Sequence, residues 1–197
     1  DHLGWQLRQA RQVPIELIDK HALQEIEPHI ADDFEAAILI KQQGRASDPA
    51  GIGIALAEKA LAKGARHIQT KVQEIHPDQG SGCQLVTGQG VFTAKKIVLA
   101  AGVWSCQLLA RFGIKLPLEA ERGYHLVLRN PGITINHSVM DADQKYVASL
   151  MKAGVRVAGT AEFAGLEAVP NYARARRFAD QAKKLFPQLN CADPDEW

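Results

Sequence analysis

KIVLAAGVWS, residues 96–105, decides how this chain is read. Ile97, Val98, Leu99, Ala100 and Ala101 are apolar at every position rather than at alternate ones, the pattern of a strand covered on both faces. The run ends at Gly102, and Val103, Leu108, Leu109 and Phe112 then share a helical face that stops at Gly113. The segment therefore predicts a buried, parallel strand opening through Ala-Ala-Gly into a helix. At the carboxyl end of such a strand, small residues let a ligand approach the backbone, and amides at the helix start can meet a phosphate. Composition by itself favours a packed strand-to-helix turn over a ligand site.

Upstream of this run, Ser47 or Asp48 caps a helix with Pro49 in its first turn. Ile52, Ala55, Leu56, Ala60 and Leu61 form the apolar face of that helix, and Gly64 ends it. Residues 66–69 and 71–75 predict extended chain, and 83–86 with 91–93 a hairpin around Gly88-Gln89-Gly90. Nearer the start, Asp19 caps a short amphipathic helix stopped by Pro28, and residues 36–40 read as a strand.

Downstream, residues 123–128, 134–140, 146–150 and 155–158 are short, largely alternating segments separated by turn residues, an antiparallel meander. A closing helix over 171–186 places Tyr172, Phe178, Ala179, Ala182, Leu185 and Phe186 on one side, and Pro187 stops it. The predicted class is α/β to α+β, with a mixed stretch over 47–112 and an antiparallel one over 116–158.

Composition narrows the function. With 197 residues, 46% of them hydrophobic, the chain is long enough to bury a core, and a net charge of +1 leaves no global field to draw in nucleic acid or anionic lipid. The apolar run at 97–104 is far short of the ~20 residues of a membrane-spanning helix. No secretory leader pattern or initiator Met opens the sequence, and its abrupt ends are those expected of a piece of a longer protein.

Three cysteines without a CxxC predict reduced thiols, and the seven histidines show no metal spacing, so no metal site is expected. Three partial glycine motifs, at Gly51-Ile52-Gly53, Gly80-Ser81-Gly82 and Gly88-Gln89-Gly90, each lack the third glycine of GxGxxG, and none follows a buried strand. Arg174, Arg176, Arg177, Lys183 and Lys184 make the closing helix basic, which reads as a solvated outer face. Tyr124, His125 and Tyr146 lie on strands of the meander, where they could line a pocket.

Taken in order, SDPAGIGIALAEKALAKGARHI, TKVQEI, KIVLAAGVWS, LPLEAERGYHL and VAGTAEFAGLEAVPN resemble the FAD-dependent D-amino-acid oxidase and dehydrogenase superfamily. The last stretch is similar to the small-subunit type of bacterial D-amino-acid dehydrogenase. The resemblance implies that residues 46–111 are part of an FAD-binding, Rossmann-like domain without its glycine fingerprint unit, and that 1–45 and 112–190 form a substrate-binding domain. It implies Val72 beside the adenine and Ala100, Ala101, Gly102 and Trp104 along the ribose and pyrophosphate. Tyr124, His125 and Tyr146 are implied as substrate-pocket residues under a sheet that roofs the isoalloxazine. No catalytic acid or base is implied.

The chemistry implied for the complete parent is hydride transfer from a D-amino acid to FAD, giving a 2-oxo acid and ammonia. Glycine, sarcosine or another secondary amine is the alternative substrate class, and a non-catalytic binding module the alternative function. A dehydrogenase would pass the electrons to a quinone or respiratory carrier and an oxidase to oxygen, and the sequence does not decide between them; the expected location is the cytoplasm or the cytoplasmic face of the bacterial inner membrane. The 197-residue piece alone is expected to be inactive and to bind FAD weakly or not at all, since the phosphate-binding glycine turn is missing.

Overall fold

The computed structural model describes residues 2–78 and 82–197, so Gly80 and Ser81 of the second glycine motif lie outside the described residues. Its two compact units break at Ile52/Gly53 and at Ala120/Glu121. One runs through Ile52 and takes up Glu121–Glu162 and Glu167–Trp197, and the other comprises Gly53–Ala120 with Phe163–Leu166.

The closing helix shows how the first unit builds its core. It spans Ala173–Leu185 (α5) and buries Ala175, Phe178, Ala182 and Leu185, positions at helical spacing that make one stripe. Tyr172, expected on that stripe, is instead 40% exposed just ahead of the helix. Against this stripe lies a five-stranded sheet in the order β10-β6-β9-β8-β7, built from β6 (Glu121–Leu128), β7 (Val139–Asp141), β8 (Tyr146–Met151), β9 (Gly154–Phe163) and β10 (Asp195–Glu196). Tyr124, Leu126, Leu128, Tyr146, Ala148, Val155 and Val157 supply its side of the core.

The meander expected over 123–158 holds for β7, β8 and β9, whose pairings are antiparallel. Two details differ. The strand expected at 134–140 shrinks to Val139–Asp141, because Ile135 turns into the core while Asn136 and His137 give their amides to Glu27. The chain also returns β9, not β7, beside β6.

The opening segments close the core from the other end. Helix α1 (His2–Ala10) and strand β1 (Ile15–Asp19), neither of them expected, precede α2 (Lys20–Ile26). Asp19 caps α2 as expected, accepting from the Ala22 amide at 2.9 Å. Strand β2 (Ala36–Ile40) pairs antiparallel with β1. Ile18, Leu23 and Ile30 join the same cluster as the sheet and α5.

The second unit is thinner. Most of helix α3 (Pro49–Ala62) belongs to it, and the expected helix forms, yet it buries no residue: Ile52, Ile54 and Leu56 are each more than half exposed. Strands β3 (Val72–Asp78), β4 (Gly82–Thr87) and β5 (Gly90–Ala94) make an antiparallel sheet that includes the expected hairpin. Residues 66–71 carry no strand.

The run at 96–101 corrects the sequence reading. It is not a buried parallel strand but irregular chain, with Val98 91% exposed. A fully apolar strand needs a neighbour on each edge and a layer on each face, and the described residues offer it neither. After it, the helix expected over 103–112 shortens to a single tight turn at Gly102–Trp104 and α4 (Ser105–Ala110).

Candidate functional site

In the second unit the chemistry centres on the turn after residue 101. Gly102 adopts φ +55 with open space where a Cβ would stand, so a larger side chain would be strained there and would fill the approach to the backbone. Leu99, Gly102, Val103, Leu109, Leu116 and Leu118 line a mostly apolar, open hollow of about 520 Å³. Ala101 is half-buried beside the glycine, while Ala100 and Trp104 are exposed, Trp104 at 59%. Val72 begins β3, opposite Thr87, and β3 is an edge strand whose outer edge is unpaired among the described residues. The open glycine turn leaves room for a ligand to approach the backbone, and a free strand edge offers main-chain hydrogen bonds to a flat base, whereas the hollow itself is apolar and carries the Glu119 carboxylate, which suits an apolar or sugar face and not a phosphate.

In the first unit, strand alternation sorts the three pocket candidates onto opposite faces. Tyr124 and Tyr146 point to the α5 side, 2% and 1% exposed. The Tyr146 hydroxyl donates to the Gln181 carbonyl at 2.6 Å, and burial, with the Asp141 charge, pushes its phenol well above the ordinary range. The Tyr124 hydroxyl donates to Glu162 at 2.6 Å and accepts from the Asn171 amide at 2.9 Å. Glu162 also lies 3.5 Å from both Arg122 and Arg174, so one half-buried carboxylate fastens the start of α5 to the sheet. Sequence reading missed this hub, since nothing in the spacing of Arg122, Glu162 and Arg174 joins them.

His125 is on the other face, half-buried. Its ring stacks on Trp197 with centroids 4.8 Å apart, and the two residues exchange both backbone hydrogen bonds. Arg156 lies on the same face, its Nη2 3.4 Å from His125 Nδ1. An arginine can only donate, so a hydrogen bond here is made by the tautomer whose Nδ1 accepts and whose proton sits on Nε2. Burial first, and then the Arg156 charge, lower the His125 pKa. Arg156 too was missed, because a polar residue between the two buried valines of VRV is what an alternating strand presents on its outer face.

A pH dependence follows from His125. With its folded pKa below the ordinary value near 6.5, the unfolded chain takes up a proton at this site before the folded one does. Stability from this residue is full above that value and falls as pH drops through the folded pKa. The stability of wild type relative to His125→Phe should therefore fall towards acid pH, and a difference that does not change with pH would contradict the assignment.

The residues match the family model described as FAD dependent oxidoreductase over positions 2–197. This chain belongs to that FAD-dependent oxidoreductase family. It is 36% identical over 95% of its length to a D-amino-acid oxidase of Bradyrhizobium diazoefficiens, and 31% identical over 89% to a D-amino acid dehydrogenase of the same organism. It spans 44% and 43% of those two proteins, less than half of either. Among solved structures, the glycine oxidase of Geobacillus kaustophilus superposes on 99% of the chain with a TM-score of 0.79 at 22% identity, the chain covering 53% of it. The L-proline dehydrogenase of P. horikoshii superposes on 92% with a TM-score of 0.74, also at 22% identity, the chain covering 50% of it. These structural likenesses establish the fold, a mixed α/β to α+β architecture shared with that glycine oxidase and that L-proline dehydrogenase.

Proposed function

We propose that the chain supplies the substrate sheet and part of the cofactor-binding region of an enzyme that oxidatively deaminates D-amino acids to 2-oxo acids and ammonia. The observation that carries this reading is the 36% identity to a D-amino-acid oxidase along nearly the whole chain. The first unit, with its open-faced sheet, is the substrate-binding part, corresponding to residues 1–45 and 112–190 of the family pattern. The second unit, corresponding to 46–111, is the cofactor-binding part.

Val72 would hold the adenine end of FAD, and Ala100, Ala101, Gly102 and Trp104 its ribose and pyrophosphate. FAD, when bound, accepts the hydride from the substrate Cα. The protein's own task is then to hold the carboxylate and present Cα, which agrees with the absence of an acid–base pair among the candidate residues. His125 and the face it occupies contribute to the substrate side. Tyr124 and Tyr146, with their hydroxyls engaged on the α5 side, contribute by fixing the sheet. The electron acceptor is a quinone or respiratory carrier if the full-length protein is a dehydrogenase, and oxygen if it is an oxidase. No helix among the described residues is long and apolar enough to cross a membrane.

The fold of glycine oxidase favours a second substrate class, glycine or a secondary amine such as sarcosine. Turnover of D-alanine, D-methionine, glycine and sarcosine by the full-length protein with an artificial acceptor separates the two. The D-amino acids should give the higher kcat/KM. Turnover of glycine or sarcosine alone would move the assignment to the second class.

A further inference from the structure

We infer that the groove between α5 and the β7–β8 turn binds a phosphate-type dianion, free or as the end of a small phosphomonoester. The inference goes beyond the proposed function and stands without it.

The groove is a cavity of about 230 Å³ within the first unit. Arg174, Arg177, Phe178 and Gln181 line it from α5, Gln144 from the β7–β8 turn and Gly159 from β9. The four helix residues are spaced i, i+3, i+4 and i+7, so they make one stripe along α5. Phe178, 4% exposed, belongs to the core and gives the groove a packed base. A Cβ at Gly159 would stand 2.5 Å from the Lys145 carbonyl oxygen, so the glycine lets the turn that carries Gln144 close against β9. Gln144 and Gln181 meet side chain to side chain at 3.4 Å, and the Gln181 carbonyl is held by the Tyr146 hydroxyl. Core and main-chain contacts thus shape the groove before any ligand enters.

Its charge is one-sided, since no lining residue is acidic. Glu162, 3.5 Å from Arg174, lies as far from Arg122 and accepts from the Tyr124 hydroxyl, so one carboxylate answers two guanidiniums. The Arg177 side chain forms no ion pair or hydrogen bond among the described residues. Asp141, at the foot of the turn, has its Oδ1 taken up by the Asp143 and Gln144 amides at 2.9 Å each. Two guanidiniums one turn apart, with carboxamide donors beside them, match an oxoanion with a charge of about −2 and acceptor oxygens on several sides. A carboxylate is planar and singly charged, and would leave one of the two arginines unanswered.

The test is calorimetric titration of the full-length, FAD-loaded protein, whose own phosphate sites are filled, with inorganic phosphate, phenyl phosphate and acetate. Wild type should bind phosphate saturably at one site per chain, with acetate weaker. Exclusive or equal binding of inorganic phosphate identifies the free ion and tighter binding of phenyl phosphate a phosphomonoester, and either supports the site. Arg177→Gln removes one charge-assisted contact from an exposed, unpaired side chain, so the fold should persist while Kd rises about 10-fold or more. Lys183→Gln takes the same charge from the same helix at an exposed position outside the groove, and should leave Kd within about twofold. No saturable binding of either phosphate by about 10 mM would overturn the inference. So would an Arg177→Gln Kd within about twofold of wild type, an equal loss in Lys183→Gln, or acetate bound as tightly as phosphate.

Discussion

Gly154→Ala is expected to destabilise the first unit by about 4 kcal/mol, combining backbone strain with overpacking. Gly154 ends the two-residue turn of the β8–β9 hairpin at φ +131, a conformation open to glycine and strained for any L side chain. A Cβ there would also overlap the Leu128 carbonyl oxygen and stand 2.8 Å from Arg129 Cα, both of them backbone. Neither can yield without opening the packing of β9 on β6. Urea unfolding of wild type and variant gives the difference directly. Gly53→Ala makes the opposite control: it sits within α3 with nothing near its Cβ, so alanine should stabilise by about 0.5–1 kcal/mol. A loss below about 1 kcal/mol in Gly154→Ala would contradict the close approach of the strands.

Glu27→Ala is expected to cost about 3 kcal/mol, because it removes a buried side chain together with the charge-assisted hydrogen bonds it accepts. Glu27 is 2% exposed, and its carboxylate accepts from the amides of Asn136 and His137 and pairs with the His137 ring nitrogen at 2.9 Å. Asn136 in turn donates its side-chain amide to the Ile26 carbonyl at 2.7 Å. One carboxylate thus ties the end of α2 to the segment entering β7, across a sequence separation of more than one hundred residues. Hydrogen exchange should show the Asn136 and His137 amides losing protection in the variant, with those of α5 protected in the same rank order. Glu27→Gln keeps an acceptor and should cost less. Unchanged protection at Asn136 and His137 would contradict the tie.

Local pattern carried most of the first unit. The stripe of α5 was legible because its apolar positions recur at helical spacing, and the Asp19 cap because its chemistry is local. The run at 96–101 failed for a physical reason: its apolar pattern speaks of neighbours, and whether those neighbours are present is not written in the run itself. The exposed apolar positions of α3 show the same thing, a helix forming by local rules without a partner for its face.

The candidate site was legible at the Gly102 turn, where residue type alone marks the backbone conformation. It was half legible on the sheet. Alternation puts His125 opposite in facing to Tyr124, but which face the closing helix would cover is a tertiary fact. Arg156 and Glu162 emerged only from contacts across strands, which spacing along the chain does not encode.

The proposed function is that the full-length protein draws a hydride from D-amino acids onto FAD. The most direct test is anaerobic mixing of the full-length protein with D-alanine while the visible absorbance of its flavin is followed. The account predicts about one flavin per chain, bleached by D-alanine and not by L-alanine, with pyruvate and ammonia formed in equal amounts. A full-length protein that carries no flavin, or whose flavin keeps its absorbance in the presence of D-amino acids, would contradict it.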